Sequence, residues 1–199
     1  NDNGKTSIKD GENNIFRCYA ASQENQYPNV YKARKYNHEL ILKSLMNDNG
    51  IKSNTIDLVN KSIEKHITKN IDKVRIHSSG DFFNGEYLRV WLAVARLNKH
   101  LKFYCYSKSL HLFGTNVSIP DNFFLTASLS GKMDRLIHAG YFKRYAIVVN
   151  SEAEAIKKGI EHIGKPYKID KDDSSCFKPD PFALLIHGTQ KKGYFKNLK

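Results

Sequence analysis

Hydrophobic positions along the chain switch repeatedly between a helical and a strand-like period. Between Val30 and Met46, Ala33, Leu40, Ile41 and Leu45 recur at roughly helical spacing, and Asn-Asp-Asn-Gly at 47–50 supplies residues that end a helix. A second helix is predicted from Thr55 to Lys69, with Ile56, Val59, Ile63 and Ile67 on one face and Ser53 or Thr55 as its cap. KVRIH at 73–77 reads as a short strand and SSGDFFNG at 78–85 as a polar turn. A helix from Glu86 to Asn98 follows, turning Tyr87, Val90, Trp91, Val94 and Leu97 inward. The aromatic LKFYCYS at 101–107 reads as another strand. FFLTAS (123–128), YAIVVN (145–150) and FALLIH (182–187) add three strands, with short helices at Asp134–Ala139 and Ser151–Gly159.

Strands alternating with helices of crossover length predict an α/β fold with a mainly parallel sheet and outer helices. The expected strands are 73–77, 101–106, 123–127, 145–149 and 182–186. Such a sheet either stays open or curves into a partial β/α barrel, and the barrel is the expectation adopted. Residues 1–14 are polar and read as a flexible segment, 15–190 as a single domain, and 191–199 as a basic tail.

Charge changes this picture. Lys and Arg number 32 against 20 Asp and Glu, a formal charge of +12. An excess of that size favours polyanions, because basic side chains release counterions from phosphate. A Lys-rich, solvated surface is the plain alternative. No apolar stretch approaches the roughly 18 residues of a membrane span, and no signal-peptide pattern opens the chain. Cys18, Cys105 and Cys176 are too few and too scattered for a disulfide framework or a zinc ribbon. A soluble protein in a reducing interior is expected.

Parallel α/β folds gather function at the carboxyl ends of their strands. There the sequence places His77 and Asp81 after the first strand, Lys108 after the second and His187 after the last. His77, Asp81 and His187 suit a divalent metal, and Lys108 suits phosphate or nucleophilic chemistry. The structural alternative makes both histidines hydrogen-bonded core residues and Asp81 the cap of the next helix. Walker, GxGxxG and GxSxG motifs are missing, which argues against NTPase, dinucleotide and α/β-hydrolase chemistry. Cys18, in Arg17-Cys18-Tyr19-Ala20, is a weak iron–sulfur candidate, since such clusters need three or four thiolates.

The stretches CYAASQENQYPNVYKARKYN (18–37), RIHSSGDFFNGEYLRVWLAVARLNKHLKFYCYSKSL (75–110), PDNFFLTASLSGKMD (120–134) and FALLIHGTQ (182–190) together resemble the "gene product 88"-like proteins of phages and other mobile elements. The resemblance implies residence in the cytoplasm of a bacterial host but names no activity. Related proteins carry further cysteines before the Cys-Tyr-Ala element, in a pattern similar to radical-type iron–sulfur enzymes on partial barrels. Cys18 matches the last of these. A cluster here would need cysteines that have been lost or that lie outside this sequence.

Two functions follow as expectations. One is a nucleic-acid-associated protein, binding DNA or RNA in replication or host takeover, supported by the +12 charge, the interleaved Tyr and Lys, and Lys191, Lys192, Lys196 and Lys199 of the tail. The alternative is an enzyme using His77, Asp81, Lys108 and His187. A host protein is a further conceivable partner.

Overall fold

The computed structural model describes residues 8, 16–48, 52–188 and 190. The chain divides into two compact units, one of residues 1–43 and 187–199 and one of residues 44–186. Every expected strand forms, and one more appears. They are β1 (Lys73–Ile76), β2 (Lys102–Ser107), β3 (Phe123–Ser128), β4 (Tyr145–Val149), β5 (Lys168–Ile169) and β6 (Phe182–Leu185). All pairings are parallel, in the order β1-β2-β3-β4-β6-β5, so β6 inserts between β4 and the short β5. Among the described residues the sheet thus keeps two edges, β1 and β5.

Alternation along β2 shows how sequence becomes two faces. Phe103, Cys105 and Ser107 are buried, whereas Tyr104 and Tyr106 are half-buried. In-register partners of parallel strands share a face, which aligns Cys105 with Ile76 and Leu125, and Tyr104 with Arg75 and Phe124. The first face continues into Ala127, Ile147, Val149 and Ala183, packed with Ile137 of α5 (Asp134–His138) and Ala155 of α6 (Glu152–Ile163). The second carries Ala146 and Phe182 and is covered by the 3-10 turn Ser174–Phe177 through Cys176 and Phe177. Burying Phe182 (1% exposed) on this face contributes about 2 kcal/mol.

Local chemistry departs from expectation at two helix starts. In α3 (Ser53–His66), neither Ser53 nor Thr55 caps the end. Lys52 holds that position in a left-handed conformation, and the Asp48 carboxylate accepts from the Thr55 N–H (3.0 Å). In α4 (Gly85–Leu97) the cap is Asn84, whose side chain accepts from the Tyr87 N–H at 2.8 Å, so Asp81 is released for another task. The other end of α4 is closed from a distance. Asn122, ahead of β3, donates its side-chain amide to the carbonyls of Ala95, Asn98 and Leu101. Within α6, Gly159 lies where a Cβ would stand 2.2 Å from the Tyr167 nitrogen, so the chain entering β5 passes directly over the helix backbone.

The first unit holds α1 (Tyr19–Gln26) and α2 (Pro28–Asn47) up to Lys43. The α1 helix was not foreseen; its buried residues are only Ala20 and Ser22. Arg34 of α2 ties the two helices together, donating to the Ala20 carbonyl and to Gln23 and Glu24.

Candidate functional site

At the carboxyl end of β1 the chain turns sharply. His77 adopts φ +63°, a left-handed backbone that a non-glycine residue rarely holds. Its ring packs edge-on to Phe82 (4.7 Å between centroids) and lies 5.5 Å from Tyr87 and 6.4 Å from Trp91. Nε2 shares a hydrogen bond with the Tyr87 hydroxyl (3.1 Å), while Nδ1 is buried without a hydrogen-bond partner among the described residues. Burial lowers the imidazole pKa to about 4, against the opposing pull of the Asp81 carboxylate. His77 is therefore neutral at physiological pH and serves as a hydrogen-bonding group rather than a cation.

Asp81 accepts four hydrogen bonds, from the N–H of Phe82 (2.7 Å), the Ser107 hydroxyl (2.7 Å), and the N–H groups of Lys108 (2.7 Å) and Ser109 (3.1 Å). One carboxylate thus stitches the turn after β1 to the end of β2. The Lys108 ammonium reaches the Leu129 carbonyl beyond β3, with its stem lying over Gly131. Of the four strand-end candidates, Asp81 and Lys108 are in direct contact and His77 is nearby in the same turn. His187 belongs to the other unit, where its ring lies 4.9 Å from that of Tyr19 and its carbonyl accepts from Gln190.

The opposite face of the sheet holds a polar cluster that sequence reading did not find. Asp173, itself left-handed at φ +61°, accepts from the hydroxyls of Tyr104 (3.0 Å) and Tyr106 (2.7 Å) and forms an ion pair with Arg75 (3.0 Å). The Arg75 guanidinium also lies over the Tyr106 ring, 5.2 Å from its centroid. Burial, reinforced by Asp173, raises the Tyr104 phenol to about 12 and pushes Tyr106 up as well, so both remain protonated donors. The alternation of Arg75, Tyr104 and Tyr106 along their strands signalled a shared face. Asp173 lies 98 positions from Arg75, and no sequence spacing links them.

The three cysteines differ in their surroundings. Cys18 is exposed at the start of α1, while Cys105 and Cys176 are buried and burial raises both thiols. Among the described residues, no three His, Cys, Asp or Glu side chains group as metal ligands. The described donors do not fit an iron–sulfur cluster, which needs three or four thiolates together.

A different surface is open for binding. From Tyr31 to Leu40, α2 exposes every residue except the half-buried Arg34. Tyr31 (46% exposed) and Tyr36 (64%) alternate with Lys32 and Lys35, and Tyr27 (52%) precedes them. At about 100° per residue, Tyr31 and Lys35 lie on one stripe of the helix and Lys32, Tyr36 and Lys43 on the next. The tail lysines Lys191, Lys192, Lys196 and Lys199 lie outside the described residues. No helix among the described residues is long and apolar enough to cross a membrane.

Comparison with known proteins gives one match and two blanks. Neither a curated protein nor a solved structure matches the chain. A family described as Gene product 88 matches residues 14–199, which takes in all the candidate site residues above. The chain belongs to the Gene product 88 family.

Proposed function

We propose that this member of a phage or mobile-element family binds nucleic acid, through backbone charge and base stacking rather than sequence readout, in replication or host takeover. The observation that carries this reading is the exposed Tyr–Lys surface of α2. Aromatic rings left open on a 20-residue helix whose buried side chains include only Leu45 are suited to stacking, and the interleaved lysines are suited to phosphate. The +12 net charge supplies long-range attraction. The enzyme alternative draws less support, because the Asp81 carboxylate and the Lys108 ammonium are already engaged in holding loops together.

Fluorescence anisotropy with labelled single- and double-stranded DNA and RNA tests the proposal. Binding is expected at about 50 mM salt and should weaken by about tenfold or more by 200 mM. The double substitution Tyr31→Ala, Tyr36→Ala is expected to weaken single-strand binding by roughly tenfold or more, while leaving the salt slope unchanged. Lys32→Ala with Lys35→Ala should flatten that slope. Absence of binding at about 50 mM salt, where non-specific contacts are strongest, overturns the proposal.

A further inference from the structure

A cavity of about 380 Å³ opens beside α5, α6 and the start of β4. Its floor is apolar, with Leu129 and Ile137 both buried, and its polar lining comprises His138, Lys143, Tyr145 and His162. Among the described residues, no acidic side chain lines it. The distribution is one-sided, since its ionisable side chains are two histidines, a lysine and a tyrosine.

Behind the lining runs a chain of hydrogen bonds. The Tyr145 hydroxyl is 2.7 Å from that of Tyr167, which is 3.0 Å from His162 Nδ1. Tyr167 is 4% exposed and forms the middle of the chain, so its single proton must go either towards His162 or towards Tyr145. If His162 carries its proton on Nδ1, it donates to Tyr167, Tyr167 donates to Tyr145, and the Tyr145 hydroxyl is left to donate into the cavity. Burial raises the Tyr167 phenol and keeps this middle link protonated. An acceptor in the cavity selects that order, and each bond in the series polarises the next.

We propose that this cavity is a binding site for a small organic anion, an apolar body carrying a carboxylate or a phosphate monoester, with Tyr145 donating to the anion and Lys143 supplying positive charge at the rim. Apolar walls with a few convergent donors are the ordinary construction of a small-ligand site. The inference does not depend on the nucleic-acid reading.

Titration of the ¹⁵N-labelled full chain with phenyl phosphate and with benzoate, followed by amide chemical shifts, tests this and shows which head group is preferred. Benzyl alcohol and benzylamine serve as neutral and cationic controls. At least one of the two anions should saturate shifts around Ile137, Tyr145 and Ile163 below about 10 mM. The neutral and cationic controls should bind at least about tenfold more weakly, the difference expected of one charge-assisted contact. Tyr145→Phe, which removes only the hydroxyl, and His162→Gln should each weaken the anion about tenfold. Lys143→Gln, at an exposed position outside the core, should weaken it about threefold and keeps the test open if a core variant misfolds. Unchanged affinity in the folded variants, equal binding of benzyl alcohol, or no saturable shift with either anion overturns the proposal.

Discussion

Replacing Asp81 with Ala separates a helix cap from a cross-strand tie. A lost N-cap costs about 1 kcal/mol. The structure calls for more, because four donors lose their acceptor together. Lys108 is exposed, so water can serve its N–H and keep that loss small. Ser107 is 1% exposed and its hydroxyl has no such recourse, which makes it the largest contribution. With about 1–2 kcal/mol for Ser107 and roughly 0.5–1 for each of the other three, the total spans about 2.5–5 kcal/mol and is centred at about 3.5–4. Asp81→Asn keeps one acceptor but turns an amide N–H₂ towards other donors, and should lose about 2 kcal/mol. The single tryptophan, Trp91, lies beside His77 and reports on this region. Urea unfolding followed by its fluorescence, with a slope of about 2 kcal/mol/M, should show the Asp81→Ala midpoint falling by about 1.5–2 M. Asn84→Ala, a true cap loss, should shift it by about 0.5 M. An Asp81→Ala shift no larger than that of Asn84→Ala, or an Asp81→Asn protein as stable as the parent, would refute the cross-strand tie.

Two other outcomes follow from single residues. His77 binds a proton more weakly when folded, at about 4, than in the unfolded chain, near 6.5. This proton linkage therefore costs almost nothing at pH 7, destabilises progressively as pH falls below about 6.5, and levels off below about 4, at roughly 3 kcal/mol. His77→Asn, which tolerates the left-handed backbone, should remove that part of the acid sensitivity, and urea midpoints at pH 7 and pH 5 check it. Gly159→Ala would force a Cβ against the backbone at 165–167 and should cost about 3 kcal/mol, lowering Tm by roughly 10 °C in a thermal scan.

Much of the sheet was legible because a parallel strand needs only a short apolar run, and the runs at 73, 101, 123, 145 and 182 were unmistakable. β5 escaped because two residues carry no period. The α1 helix escaped because YAASQENQ has almost no apolar stripe and is held by small residues and Arg34. Of the candidate site, the sequence placed His77, Asp81 and Lys108 after neighbouring strands and left Asp81 as either a site residue or a helix cap; the cap proves to be Asn84. A carboxylate ahead of a helix is a sensible cap locally, and only the tertiary fold shows that Ser107, 26 residues later, claims it. The Asp173 cluster was invisible for the same reason, since one carboxylate gathers residues from separate strands.

The unclosed sheet has a consequence for how copies of this protein meet. An exposed strand edge is a template on which another chain can add a strand, the first step towards aggregation. Here the edge at β5 is only two residues long and begins with Lys168, while β1 is four residues long and carries Lys73 and Arg75. A strand arriving at either edge would find few backbone groups to pair with, and would have to settle beside lysine or arginine to do so. An open parallel sheet can in this way discourage edge-to-edge growth without closing into a barrel.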